Sequence, residues 1–293
     1  MTDRDGWARL GKLHTATHVL NTPCLLPVIN PNIRTVEPRE LWERYGFEAL
    51  ITNSYVIWKH DNLKNQALEH GVHALLDYPG VVMTDSGTFQ NYVYGDVEVG
   101  VEEIVTFQRE IGVDIATMLD VFGTPDMSKE EVEDAVNQTI DRAAVSIEAA
   151  NGTLLNGPIQ GGIHSDLRAQ SAIGMSEHDF AVHPIGGIVP LMERQRYREL
   201  VEIILACREE IPWNRPIHIF GCGHPHLFPI CVALGADLFD SAAYALFARD
   251  DRMLMPWGTV KLGDLTEFPI STEALAGHTP ASVMALSDDA RCE

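Results

Sequence analysis

Three aspartates close apolar runs in this chain: Asp85 in VVMTD, Asp120 in DIATMLD and Asp240 in ADLFD. A carboxylate is a costly way to end a buried strand unless something is bound or transformed there. Two carboxylates across a mouth can divide labour as nucleophile and general acid/base. A third carboxylate, with an amide such as Gln160 and nearby backbone N–H groups, can read a flat heterocycle that both donates and accepts. Ser86 adds a hydroxyl beside Asp85, and Phe89 in MTDSGTFQ offers a stacking face. Together these residues point to cleavage at a glycosidic carbon attached to a base. Each also has a plain structural reading. Asp85-Ser86-Gly87 can be a turn, Gly186-Gly187 tight packing, and Asp240-Ser241 the cap of the next helix. Their convergence is what favours chemistry. A competing chemistry is a metal-dependent hydrolase built on His218, His224 and His226 with Asp240, since imidazoles plus a carboxylate can hold zinc. A catalytically silent partner subunit is a third reading, and the intact carboxylates speak against it.

The elements that must position these residues repeat along the chain. Strands are expected at Cys24–Asn30, Ala49–Ser54, Val81–Asp85, Asp114–Asp120, Gly157–Gly161, Phe180–Gly186, Pro216–Gly221 and Ala236–Asp240. Helical periodicity is expected over Thr35–Tyr45, Val101–Ile111, from a Ser128 cap to about Ala150, over Gln195–Ile211 and over Pro225–Leu234. Strands alternating with helices predict a parallel sheet, and eight of them predict an α/β fold of the (β/α)8 TIM-barrel type. An open doubly wound sheet is the runner-up, but no GxGxxG follows the first strand. In such a barrel the C-terminal strand ends face the site. The polar residues that close the runs therefore form one ring.

Composition narrows the setting. The 293 residues carry 42 Asp and Glu against 21 Lys and Arg, for a formal charge of −21, and only Lys12, Lys59, Lys64, Lys129 and Lys261 are lysines. An acidic, lysine-poor surface fits a halophilic setting, where salt screens self-repulsion. The five cysteines are scattered without a CxxC pair, so neither disulfides nor a cysteine zinc site is expected. No run of 18 apolar residues occurs, and the N-terminus MTDRDGWARLGK lacks the apolar stretch of a signal peptide. The expectation is a cytoplasmic protein with no membrane partner and no cofactor. Net charge argues against nucleic-acid binding at first sight. The arginines, however, are grouped: Arg194, Arg196 and Arg198 in LMERQRYREL, and Arg249 and Arg252 in FARDDR. Both segments follow strand ends, so both flank the same mouth and supply candidate phosphate contacts. Their plain reading is surface pairing with Glu193, Glu199, Asp250 and Asp251.

The stretches LLPVINPNI, EALITNSY, MTDSGTFQ, GPIQGG, DLRAQSA, FGCGHP and ALGADLFDSAAYALFARDDR carry a resemblance. From about Gly11 to about Pro269 the sequence resembles the tRNA-guanine transglycosylases, most closely the archaeal, archaeosine-forming kind. The resemblance implies a (β/α)8 barrel over residues 1–269, followed by a short tail over 270–293. It implies exchange of a guanine base in RNA for a 7-deazaguanine of the preQ0 type, with the phosphodiester chain left intact. It assigns Asp240 as nucleophile at the ribose C1′ and Asp85 as the second catalytic carboxylate, usually given proton transfer and in some accounts nucleophilic attack. Asp120 and Gln160 match base-recognition residues, Phe89 the stacking ring, and Gly161 and Gly187 backbone positions of the base pocket. Three departures stand out. The family's LDIPTP is LDVFGTP here, with one residue added after Asp120. Ile270, Thr272 and Leu275 occupy the positions of the family's zinc-binding cysteines, so no zinc is expected. The sequence ends at Glu293, where archaeal relatives continue into RNA-binding domains. These departures keep two polymers open: tRNA, with docking domains on a separate RNA-binding subunit, or DNA, the substrate of a virus-encoded enzyme that inserts a 7-deazaguanine. A homodimer is compatible with either.

Overall fold

The structure, a computed structural model, describes residues 1–88, 99–124 and 126–263. Three antiparallel strands open the chain: β1 (Asp3–Asp5), β2 (Ala8–His14) and β3 (Val19–Thr22). Eight strands then form the main sheet: β4 (Cys24–Ile29), β5 (Ala49–Asn53), β6 (Val81–Asp85), β7 (Ile115–Thr117), β8 (Leu154–Asn156), β9 (His183–Ile185), β10 (Ile217–Ile219) and β11 (Leu238–Ser241). Their order is β8-β7-β6-β5-β4-β11-β10-β9, and every pairing is parallel. Parallel bridges at Asn156↔Val182 and Ile159↔Ile185 join its two ends. The result is the expected (β/α)8 barrel. A hairpin of β12 (Arg252–Met255) and β13 (Gly258–Lys261) follows.

Continuous apolar runs make these strands because both faces of a parallel barrel wall are covered. All five residues of β5, ALITN, are buried. Leu26, Ile51, Val81, Met83, Ile115, Val182 and Leu238 pack inside the barrel near the strand starts. Leu13 and Leu20 reach the same cluster from β2 and β3, so the N-terminal sheet stoppers that end. Arg9 fixes it there: its guanidinium meets the buried Asp237 carboxylate at 2.6 and 2.8 Å, and Asp237 also accepts from the backbone N–H of Ile217.

Several boundaries differ from the sequence expectation, for local reasons. The fifth barrel strand is Leu154–Asn156 rather than Gly157–Gly161. Pro158 has no N–H for a regular ladder, although Gly157 and Ile159 still donate to Val182 and Pro184. β7 stops at Thr117, so Asp120 lies in the loop beyond it. The helix from the Ser128 capping box ends at Asp141, and a second helix spans Ala143–Ala150. Arg142 sits at the break, where its guanidinium donates to the carbonyls of Leu119 and Asp120. Among the described residues, no helix is long and apolar enough to cross a membrane.

Candidate functional site

A cavity of about 320 Å³ opens where the strands end. Asp85, Ser86, Asp120, Gln160, Gly187 and Asp240, all expected in the ring, line it. Phe89 and the positions 270, 272 and 275 lie outside the described residues. Gly161 is not among the lining residues. Its φ is +144°, and a Cβ there would stand 2.7 Å from the backbone nitrogen of Arg168. It serves the close packing behind Gln160.

Asp85 is the last residue of β6, with Asn53 as its register partner on β5. Its Oδ1 accepts from the Gly87 N–H at 3.0 Å, and Gly87 holds φ at +91° to aim that group. Burial pushes the carboxyl up to about 7, and the charge of Asp240 adds to the rise; Gly87 N–H and Asn53 oppose it. The backbone around it is tied down. Ser54 Oγ donates to the carbonyl of Asp85 at 2.5 Å, and Thr84 Oγ1 donates to Gln108 at 2.7 Å.

Asp240 belongs to β11 and pairs in register with Leu26. Its Oδ1 accepts from the Gly221 N–H at 2.9 Å, and Nε2 of the fully buried His218 stands 2.9 Å from the same oxygen. Asp120 accepts at Oδ2 from the Gln160 amide at 2.5 Å. Burial raises the Asp120 carboxyl as well, opposed by the bonds from Thr88 and Gln160. The Gln160 Oε1 is buried without a hydrogen-bond partner, so the amide has an acceptor to spare beside the cavity. Gly187 has φ of +71°, and a Cβ there would lie 2.7 Å from the carbonyl oxygen of Gly123. Only glycine lets the backbone run that close to the cavity wall.

The metal alternative does not assemble. His224 Nε2 pairs with Thr259 Oγ1 at 3.0 Å and His226 Nε2 with Tyr197 Oη at 3.2 Å, while His218 points inward at Asp240. Among the described residues, no group of three His, Cys, Asp or Glu is placed to hold a metal ion.

None of the five arginines lines the cavity. Arg194 pairs with Asp126 through both terminal nitrogens at 3.3 Å, Arg196 with Glu199 at 3.0 Å and Arg198 with Glu202 at 2.9 Å. Arg249 donates to Thr35 Oγ1 at 2.8 Å and Arg252 to Asp250 at 2.6 Å. The surface-pair reading thus holds for Arg196 and Arg252 with the expected carboxylates, and Arg194 and Arg198 choose others.

Sequence reasoning missed Thr88, Phe122, Val189 and Phe220, which also line the cavity, and the approach of His218 to Asp240. For two of them a signal existed. His218 and Phe220 are two apart in PIHIFG, so strand alternation puts them on one face, opposite the Ile217 and Ile219 that pack under the helices. A histidine on the inward face of a barrel strand marks a polar interior.

Fold and site define a (β/α)8-barrel protein whose mouth holds three carboxylates, Asp120 and Asp240 buried and Asp85 partly so, around one cavity. The chain belongs to the family described as TGT: Queuine tRNA-ribosyltransferase, whose profile matches residues 3–276. It is similar to the tRNA-guanine(15) transglycosylase of Methanopyrus kandleri, at 48% identity over 281 residues covering 96% of this chain and 61% of the relative. It is similar also to the proteins of that name from Thermococcus onnurineus, at 46% over 98% of this chain and 49% of the relative, and Thermoplasma acidophilum, at 47% over 91% and 42%. The chain thus spans about half the length of these curated relatives.

Proposed function

We propose that this chain exchanges a guanine base of tRNA for a 7-deazaguanine of the preQ0 type through a covalent Asp240–ribosyl intermediate. The carboxylate of Asp240 forms a bond to C1′ as the bond from C1′ to the base nitrogen breaks. The departing guanine keeps the electron pair and takes a proton from Asp85. The incoming base returns a proton to Asp85, forms its own bond to C1′ and frees Asp240. No phosphodiester bond is touched.

The observation that carries this reading is the pair of carboxylates, Asp85 and Asp240, on one cavity. Asp85, pushed up to about 7 by burial, holds a proton near neutral pH and can give it to a leaving base. Asp240 accepts the Gly221 N–H at Oδ1, which holds its carboxylate at the cavity wall. The Asp120–Gln160 pair and the backbone at Gly187 give a planar base an edge to read. The names of the relatives support tRNA as the polymer. The test offers labelled guanine with tRNA and with duplex DNA, side by side at molar salt, with unlabelled preQ0 as chase. Label entering tRNA and displaced by preQ0 is expected. Label entering DNA alone overturns the choice of polymer, and no label in either overturns the base exchange.

A further inference from the structure

Among the described residues, His218 is a buried titratable side chain beside the cavity that the proposed steps do not use. It is fully buried on β10, and its Nε2 stands 2.9 Å from Asp240 Oδ1. Neither ring nitrogen has a hydrogen-bond partner by direction, so the close contact is not collinear with a ring N–H. A buried imbalance of this kind is costly, and a small turn of the ring would pair Nε2 with Asp240 Oδ1. The ring stands edge-on to Phe220, at 4.7 Å and 76°. Phe220 itself lines the cavity. On Asp240, Gly221 N–H already holds Oδ1. No hydrogen bond to Oδ2 is made among the described residues.

We infer that His218 is a positioning residue for Asp240: it donates from Nε2 to Oδ1 and, with the Gly221 N–H, fixes the carboxylate so that Oδ2 is presented to the reacting carbon. The inference rests on the assignment of Asp240 as nucleophile above. A single donor leaves an aspartate free to rotate about its last torsion; two donors from different directions on one oxygen do not. Because His218 is not among the residues lining the cavity, its removal should alter the chemical step and spare binding.

The test compares His218→Leu with His218→Gln, whose amide can donate over a similar reach. For His218→Leu, kcat of guanine exchange should fall by ~10- to 10²-fold, the scale of a misplaced reacting group. KM for the polymer and Kd for free guanine should stay at the parental values. His218→Gln should regain most of the loss. Parental kcat in a folded His218→Leu protein overturns the inference, and so does a His218→Gln protein as impaired as His218→Leu. Nitrogen-15 NMR of the histidine-labelled parent protein adds a readout that needs neither activity nor a variant fold. A proton on Nε2 whose resonance shifts in Asp240→Asn is expected, and a proton on Nδ1 with bare Nε2 overturns the donor role. If the parent exchanges no base on any polymer, the functional reading falls instead, whatever the NMR shows.

Discussion

At the scale of residues, the two carboxylates make different demands. Asp240→Asn should abolish exchange and any covalent adduct with the polymer, because a neutral amide is no nucleophile. Denaturing electrophoresis after incubation with polymer and no incoming base checks this, and an adduct at full yield in the variant would transfer the role elsewhere. Asp85→Asn removes the proposed proton carrier, and such a group typically supplies ~10²–10⁴-fold in rate. Exchange should fall by that order while free guanine still binds. In the parent, kcat/KM for the polymer should decline as pH rises through about 7, since the first step needs the protonated acid. The same group sets a stability term. Its carboxyl lies at about 7 in the folded chain against an ordinary 3.8, so folding retains a proton that the unfolded chain has released. That contribution is complete below about pH 4 and is lost as pH rises to about 7. Asp85→Asn escapes the loss, so its Tm should exceed the parent's at pH 8 and match it near pH 4. The residue types around the cavity were legible because carboxylates at the ends of apolar runs have few reasons to be there. Thr88, Phe122 and Val189 were not, since a threonine, phenylalanine or valine in a loop or helix start is ordinary until the fold shows which way it faces.

At the scale of elements, one side chain ties together the strand that carries Asp85 and the loop that carries Asp120. Gln108, in the helix Val101–Glu110, is fully buried. Its Oε1 accepts from Thr84 Oγ1 at 2.7 Å and from the Thr117 N–H at 2.9 Å, and its Nε2 donates to the carbonyls of Ile104 and Thr117. Thr84 precedes Asp85 on β6, and Thr117 ends β7 three residues before Asp120. Gln108→Leu keeps the volume but orphans two buried donors and the Thr117 carbonyl. At ~1–3 kcal/mol for each of these three unsatisfied groups, stability should drop by on the order of 3–9 kcal/mol. Urea unfolding measures this, and a variant within the error of the parent would show that the network is dispensable. Such a tie is invisible in sequence, where Gln108 reads as a polar residue in the helical run VEEIVTFQRE. The strands were more legible. Val81–Asp85 is the same five residues in sequence and structure, because an unbroken apolar run has a single use in a barrel wall. Leu154–Asn156 was passed over for GPIQG beside it, since three residues give too short a pattern and the ladder continues irregularly through Gly157 and Ile159. The N-terminal sheet escaped for another reason. ARLGKLH alternates weakly, with only Arg9 and Leu13 buried, and its function as a stopper depends on contacts with strands far along the chain.

At the scale of the molecule, the proposed function requires a chain of formal charge −21 to bring a polyanion to its mouth. Long-range repulsion opposes the encounter at low salt and is screened within about 8–10 Å near physiological ionic strength, less still at molar salt. Local contacts then decide. The arginine groups at 194–198 and 249–252 each follow a barrel strand, β9 and β11, whose C-terminal end borders the cavity. Their present carboxylate partners do not forbid a phosphate role. Arg196–Glu199 and Arg252–Asp250 are partly exposed pairs, at side-chain exposures of 30%/34% and 32%/61%, and such pairs are typically worth ~0–1 kcal/mol. A phosphate can take the guanidinium from the carboxylate at little cost and with matching bidentate geometry. It would also hold the backbone while the target base leaves its stack. Arg196→Ala and Arg252→Ala should therefore weaken polymer binding and leave free-guanine binding intact. Each should also reduce the slope of log K against log salt by about one, the signature of one lost phosphate contact. Filter binding across a salt series, with guanine titration calorimetry beside it, separates the outcomes. Unchanged polymer affinity and slope in both variants would place the backbone track on other residues, and a parallel loss of guanine binding would mean that the substitutions act through the cavity.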